Sequence, residues 1–419
     1  MRRAVMVILD GLRRDFVDAD RTPNLMRLME RAERFPAFRS AFPSATRVVS
    51  ATFATGCHPA RHTLQGNAVA LLDHDRLVPY DVGRPDFLAL KRTLTGCSLA
   101  VPTLAERLAP HGGVVVFNNV SPGAAVAHDP DGFGYVYHRA VSVGPGRAPV
   151  DDPLRVTQDA AGDRAMTERF VAEILDHRHP TFALLWLGEP DHIQHNVPLG
   201  SPEHLAVLKA ADHNAGLVMD AVAGDDDVLL IVGSDHGHET VSGIVDVEAE
   251  LIGAGLKRGP ESDDILAMAN GTSTLIYLHP KLDNLRARLG DFLRAQLWAG
   301  QVFGAEELAS IGQAAHQSLA FAVSMAADDL PNEYGIRGRA LAAKPRWDKQ
   351  DRLGCGQHGG LARYEQSPVL LIDGPGFTAG GTRTDPVHIV DLAPSIMRHL
   401  GIAAPGMDGR PLQSGPPSP

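Results

Sequence analysis

Apolar residues along the chain gather into short unbroken runs separated by amphipathic stretches. Ala4–Leu9, Val114–Phe117, Phe182–Leu187, Val228–Val232, Ser273–Leu278 and Val369–Ile372 are rich in Val, Ile, Leu and Phe, the composition of strands buried on both faces. Between them apolar positions recur at helical spacing over Pro102–Leu108, Arg164–Leu175, Glu203–Val222 and Asp391–Leu400. Thr22-Pro23 opens a further helix carrying Leu25, Met26, Leu28 and Met29, and Thr46–Thr55 reads as a helix stopped by Gly56. Strands alternating with helices predict an α/β fold: a doubly wound, largely parallel central sheet with helices on both faces.

Two regions break this rhythm. Residues 121–162, rich in Gly, Pro and Asp, read as a long excursion near the strand ends. Residues 239–355 mix short strands with a polar helix around Leu285–Trp298 and read as an inserted cap or lid subdomain, the kind of insertion that shapes substrate choice. The expected organisation is an α/β core built from residues 1–238 and 356–419, with 239–355 inserted as the cap. Gly415–Pro419 is expected to fray, and there is no internal repeat.

Composition narrows the partners. A chain of 419 residues can bury a large core, and its 44% hydrophobic and 21% charged residues are ordinary for a soluble globular protein. The net charge of −11 argues against a nucleic-acid duplex, which needs a basic face. No apolar run approaches the roughly 18–20 residues that span a bilayer. Met1-Arg2-Arg3 leads directly into the first strand, and three cysteines are few for a secreted scaffold. These features predict a cytoplasmic protein without membrane attachment, for which a homodimer is an allowed assembly. The Asn270-Gly271-Thr272 sequon is then a chance match.

The chemistry lies at the ends of the strands. Asp10 follows the first run, Asp191 and His195 follow the third, Asp235 and His236 follow the fourth, and His358 stands alone between glycines. Singly, each is an ordinary polar turn. In an open α/β sheet, however, the carboxyl ends of parallel strands share one rim, where sites are built. Asp191 and His195, four apart, fall on one face of a helical turn. Three carboxylates and three imidazoles exceed the four ligands of one tetrahedral ion but suffice for two. Asp191, His195 and His358 make a three-ligand site with one open position. Asp10, Asp235 and His236 make a second, with the Thr46 hydroxyl as a further ligand. Thr46 opens its helix, so backbone N–H groups and the positive dipole end would face a phosphoryl group there. His238 reads as exposed or at most a partner of a ligand. His128, Asp129 and Asp131 do not read as a third metal site, and Asn118 and Asn119 read as polar loop residues.

Taken as a set, VILDG around Asp10, FPSATRVVSATFATGCHPARH around Thr46, GEPDHIQH, GSDHGH and GQHGG resemble the alkaline phosphatase superfamily, in its nucleotide pyrophosphatase/phosphodiesterase branch. The chain is also similar to phosphonoacetate hydrolases. The resemblance implies a nucleophile at Thr46, nine positions before Thr55, and metal ligands at Asp10, Asp191, His195, Asp235, His236 and His358. It also implies an asparagine that holds a phosphoryl oxygen, here Asn67, 21 positions after Thr46, assisted by the backbone N–H after the nucleophile. The activity implied is hydrolysis of phosphate mono- or diesters by two zinc ions through a phospho-threonine intermediate; manganese or iron is chemically admissible. The alternative on the same residues is phosphonoacetate hydrolysis, and a phosphomutase is a more distant rival. Either hydrolase takes a small-molecule phosphate ester or phosphonate.

The departures bear on substrate. Diesterases of this branch usually carry an aromatic residue and proline after the nucleophile, whereas this chain has Arg47-Val48-Val49. Arg47 is placed to reach a charged substrate group or to pair with a surface acid. At 5% aromatic residues, no base-stacking platform is evident. The inserted regions hold few lysines (Lys257, Lys281, Lys344, Lys349), which weighs against a carboxylate-bearing substrate. Cys57-His58-Pro59-Ala60-Arg61 matches the sulfatase Cys-x-Pro-x-Arg signature, but it lies beyond the nucleophile position, which threonine fills.

Overall fold

Five of the six apolar runs enter one eight-stranded sheet in a computed structural model, which describes residues 2–347, 350 and 352–414. Met1, Lys349 and the expected frayed tail Gly415–Pro419 lie outside the described residues. The sheet runs Glu33–Arg34, Leu370–Asp373, Val228–Gly233, Arg3–Leu9, Phe182–Leu187, Val114–Asn118, Tyr135–His138, Val141–Val143. The five strands from Val228–Gly233 to Tyr135–His138 are mutually parallel. The register pairs Ile8 with both Gly233 and Trp186, so three neighbouring strands end at one level.

Alternation along the strands explains the layers. Ala4, Met6 and Ile8 face Val49 and Phe53 of the Thr46–Thr55 helix, Leu104 and Leu108, and Leu392 and Ile396 of the Leu392–His399 helix. Val5, Val7 and Leu9 face Met166 and Phe170 of the Ala160–Ala172 helix, and Leu208 and Val218 of the Pro202–Ala221 helix. Strands buried on both sides have no polar positions to spare, hence their unbroken apolar runs.

Several expectations change in detail. Val369–Ile372 forms its strand one residue later, and it pairs antiparallel with Val228–Gly233. Ser273–Leu278 is not a core strand: it belongs to a separate antiparallel sheet ordered Ile265–Ala269, Ser273–Leu278, Leu319–Met325, Ala299–Gly304. The excursion at 121–162 in fact contributes Tyr135–His138 and Val141–Val143 to one edge of the main sheet, with a short helix, Pro122–Ala127, before them. The polar helix of the insertion stops at Arg294.

The stretch 239–355 holds that antiparallel sheet and part of a second four-stranded one, ordered Ala327–Pro331, Arg337–Ala343, Glu239–Val245, Gly356–Gln357. Neither is isolated from the core. Val69, Leu71 and Leu77 of the hairpin Ala68–Asp73/Arg76–Asp81 pack with Leu266, Met268, Leu275 and Tyr277. The Asn270 side chain is buried and fully used: Oδ1 accepts from the Asn67 and Ala68 N–H groups at 2.5 and 3.1 Å, and Nδ2 donates to the Ala68 and Met268 carbonyls. A side chain so engaged has no room for a glycan. No helix among the described residues is long and apolar enough to cross a membrane.

Gly359, directly after His358, locks the two regions together. Its φ is +130°, and an added Cβ would sit 1.7 Å from the Asn270 carbonyl oxygen. Gly359→Ala should therefore lower stability by roughly 2–4 kcal/mol, from backbone strain plus the clash. Gly253, exposed and with nothing near its Cβ position, is the control: Gly253→Ala in its helix should be neutral to stabilising by about 0.5–1 kcal/mol. Denaturant midpoints of the two variants test this, and equal midpoints would contradict it.

Candidate metal centre

Asp10, Asp191 and Asp235 all emerge where the three neighbouring strands end. The Gly11 N–H donates to Asp235 Oδ1 at 3.0 Å, and Trp186 Nε1 donates to Asp10 Oδ2 at 2.7 Å. Asp10 and Asp235 thus each keep one oxygen anchored by the fold, while Asp10 Oδ1 and Asp235 Oδ2 accept no hydrogen bond among the described residues. Both carboxylates are fully buried, and Asp191 is nearly so. Burial, reinforced by the Asp235 and Asp191 charges, holds Asp10 well above the usual carboxylate range. Bare anionic oxygens gathered away from water are costly unless a cation joins them.

The imidazoles are oriented so that they could help hold such a cation. Nδ1 of His195 faces the Gly356 carbonyl at 3.0 Å, that of His236 faces the Gly237 carbonyl at 3.1 Å, and that of His358 faces the Ser44 carbonyl at 2.7 Å. A ring nitrogen against a carbonyl oxygen must carry the proton, which leaves Nε2 as the lone-pair donor in all three. Those Nε2 atoms stand 3.3 Å (His195) and 3.4 Å (His358) from Asp191 Oδ1, and His236 Nε2 stands 3.4 Å from Asp10 Oδ1 and 3.0 Å from Asp235 Oδ2. Ligands about 2.0–2.1 Å from a tetrahedral ion are roughly 3.3 Å apart, so the residues present fit zinc-type coordination. Asp191 belongs to both groups of convergent ligand atoms, Asp191/His195/His238/His358 and Asp10/Asp191/His236. The His236 and His358 rings stack at 3.6 Å, so the groups adjoin.

Electrostatics agree with a site waiting for positive charge. Burial alone would push His236 down, but the Asp235 and Asp191 carboxylates and the Gly237 carbonyl together hold the ring above its ordinary value. Burial would raise Asp191, yet His195, His238 and His358 together hold it well below. His358 is itself pushed down, by burial and then by His236, and stays neutral as a ligand must.

Thr46 opens a helix of which all but Arg47 is buried, and its Oγ1 lies 3.1 Å from His236 Nε2. Ala45 offers no capping side chain, so the first-turn N–H groups are not claimed from that side. One is claimed elsewhere: the Arg47 N–H, expected to face a phosphoryl oxygen, donates instead to Asn67 Oδ1 at 3.2 Å. That contact fixes the Asn67 carboxamide and leaves its nitrogen as the donor group. Asn67 and Arg47 line a cleft of about 270 Å³ together with His195 and His358. Arg47 meets Ser121 Oγ at 3.1 Å, and its nearest acid is Asp81 at 3.6 Å. Sequence reasoning thus named Asp10, Thr46, Arg47, Asn67, Asp191, His195, Asp235, His236 and His358, and the structure brings all nine to one place.

Of its two readings of His238, an exposed side chain or the partner of a ligand, the second fits, and two further features escaped it. His238 is fully buried rather than exposed, and its Nε2 lies 2.8 Å from Asp191 Oδ1, a hydrogen-bonding distance shorter than the ligand spacings. It therefore orients Asp191; only the turn through Gly237 brings it back, which no local pattern signals. Arg346 and Arg352 line the cleft from the insertion, where only lysines had been weighed. Trp347, half-exposed, adds an aromatic face at the cleft.

Other candidates resolve as structural. Asn119 Nδ2 donates to Asp163 and the Thr157 carbonyl, and Asn118 Oδ1 accepts from the Val120 N–H. Asp129 accepts from the Gly132, Phe133 and Gly134 N–H groups, Asp131 pairs with Arg92, and His128 packs against Phe53 and Trp186. Within the sulfatase-like signature, Cys57 is buried with Sγ near the Gly406 carbonyl, and Arg61 pairs with Asp408.

Comparisons with known proteins follow this geometry. The family described as type I phosphodiesterase / nucleotide pyrophosphatase matches residues 4–388. Among solved structures, murine ectonucleotide pyrophosphatase / phosphodiesterase 5 superposes with a TM-score of 0.69 at 17% identity, covering 98% of this chain and 97% of that one; it has also been solved as an inactive variant with AMP. The human counterpart gives 0.67 at 16% identity, covering 97% of each chain. These likenesses are of fold. No curated protein sequence matches the chain.

Stripping metal with a chelator should lower the melting temperature of the wild type, and zinc should restore it with saturation near two equivalents. His238→Ala should fold yet bind zinc about 10–100-fold more weakly, as expected when a ligand loses its orienting partner. Calorimetric titration of the stripped proteins checks both, and melting curves indifferent to chelator would remove the metal reading.

Proposed function

The chain belongs to the type I phosphodiesterase / nucleotide pyrophosphatase family, and from that premise we propose a two-zinc phosphoesterase acting on a small-molecule phosphate ester through a phospho-threonine intermediate at Thr46. The observation that carries the reading is the Thr46 hydroxyl, 3.1 Å from Nε2 of the candidate ligand His236, with its chain neighbours Ala45 and Arg47 lining the cleft. Asp191, His195 and His358 would hold one zinc, and Asp10, Asp235, His236 and Thr46 the other. When bound, such a pair supplies a lowered hydroxyl pKa and positive charge for the oxygens around phosphorus.

The chain's own groups do the rest. Thr46 attacks phosphorus: the Oγ–P bond forms, the ester P–O bond breaks, and the departing oxygen takes up the proton that Thr46 loses. Water then attacks from the vacated side, releasing phosphate or phosphomonoester and returning a proton to Thr46. The Asn67 carboxamide nitrogen, its oxygen held by the Arg47 N–H, donates to a non-bridging oxygen. The buried helix behind Thr46 keeps the nucleophile from swinging away. A second reading, cleavage of the C–P bond of phosphonoacetate on the same residues, draws support from the three arginines of the cleft.

Thr46→Ala should reduce hydrolysis of bis-p-nitrophenyl phosphate by more than about a thousandfold while zinc content stays near two per chain. Undiminished turnover in that variant would end the proposal. Parallel rates on phosphonoacetate separate the two readings.

A further inference from the structure

We infer that the cleft beside the metal centre receives a second anionic group of the substrate, a carboxylate or phosphate on a short linker, held by Arg47, Arg346 and Arg352; the inference rests on the phosphoester reading of that centre. Among the described residues, three guanidinium groups line the cleft against the carboxylate of Asp81, with Glu248 paired to Arg346 from outside the lining. On a chain of net charge −11 this is a local reversal of sign, in a concave space where field lines concentrate. A phosphodiester carries a single negative charge, which the metal centre and Asn67 already answer. Three further cations have no role in holding it.

Each arginine is held in place by the fold. Arg47 Nε donates to Ser121 Oγ at 3.1 Å and Nη1 to the Asn67 carbonyl at 3.4 Å. Its guanidinium lies against Gly83, where an added Cβ would come within 2.5 Å of Nη2 and the guanidinium would have to shift. Arg352 Nη1 donates to the His195 carbonyl at 3.1 Å, tying it to the turn that carries a predicted ligand. Arg346 Nη1 meets both oxygens of Glu248 at 3.2 Å. Planar forks fixed in this way match a carboxylate or phosphate with little ordering left to do on binding. The volume of about 270 Å³ suits a compact dianion.

The test is calorimetric binding of three phosphonates to the zinc-loaded protein: phosphonoacetate, methylenediphosphonate, and phosphonoacetamide as the neutral-ended isostere. One or both dianions should bind at least about tenfold more tightly than the amide, and which of them does so identifies a carboxylate or a phosphate as the second group. In Arg47→Gln, Arg346→Gln and Arg352→Gln, melting curves confirming that each is folded, that preference should shrink toward unity. Arg346 is the most exposed of the three and guards against loss through misfolding. No preference in the wild type would overturn the inference. So would a preference that survives all three substitutions, or an equal loss of dianion and amide binding, which would place the arginines on the phosphonyl group itself. Failure of the underlying reading would look different: no phosphate ester is turned over although the binding preference and its loss in the variants are intact.

Discussion

Asp10, Asp191 and Asp235 crowd three carboxylates into one buried position, and three buried anions repel one another and lack water. Each is placed there by a strand whose neighbours on both sides are hydrogen-bonded in register, so none can retreat without breaking the centre of the sheet. The fold spends its donors on one oxygen of Asp10 and of Asp235 and leaves the other bare. Such an arrangement is stabilised by any positive charge that joins it, and the Nε2 atoms of His195, His236 and His358 are placed to help hold a divalent ion.

Chemistry at that spot depends on parts of the chain far from the central strands. His358 reaches the site because its ring is pinned to the Ser44 carbonyl and because Gly359 lets its loop lie against the Asn270 carbonyl. Asn270 in turn clasps the Asn67 and Ala68 amides. One asparagine of the stretch 239–355 thereby couples the candidate ligand His358, the Asn67 proposed to hold a phosphoryl oxygen and, through Asn67, the backbone of Arg47. Residues of 239–355 therefore help position the candidate site as well as lining its cleft.

The same coupling bears on what can bind. Arg47 directly follows Thr46, the proposed nucleophile, while Arg346 and Arg352 arrive from the stretch 239–355, so the cleft's charge is assembled from two distant segments. Where the family resemblance implies an aromatic residue and proline after position 46, this chain carries Arg47. The aromatic surface is supplied at the cleft by Trp347 instead, a division of labour that 5% aromatic content gave no reason to expect.

What the linear chain determined was local. Apolar runs ending in Asp10, Asp191 and Asp235, the Asp191/His195 spacing, and the helix from Thr46 to Gly56 were legible because strand burial, helical periodicity and a left-handed stop are properties of neighbouring residues. Their convergence was legible only through the rule that parallel strands share a rim. Tertiary structure alone decided the rest: that Val369–Ile372 runs antiparallel, that Ser273–Leu278 belongs to another sheet, and that residues of 121–162 extend the main one. It also turned His238 inward onto Asp191 and brought arginines, rather than the lysines that had been counted, into the cleft. Strand direction, sheet membership and side-chain convergence depend on partners tens to hundreds of residues away, and no window of neighbouring residues contains that information.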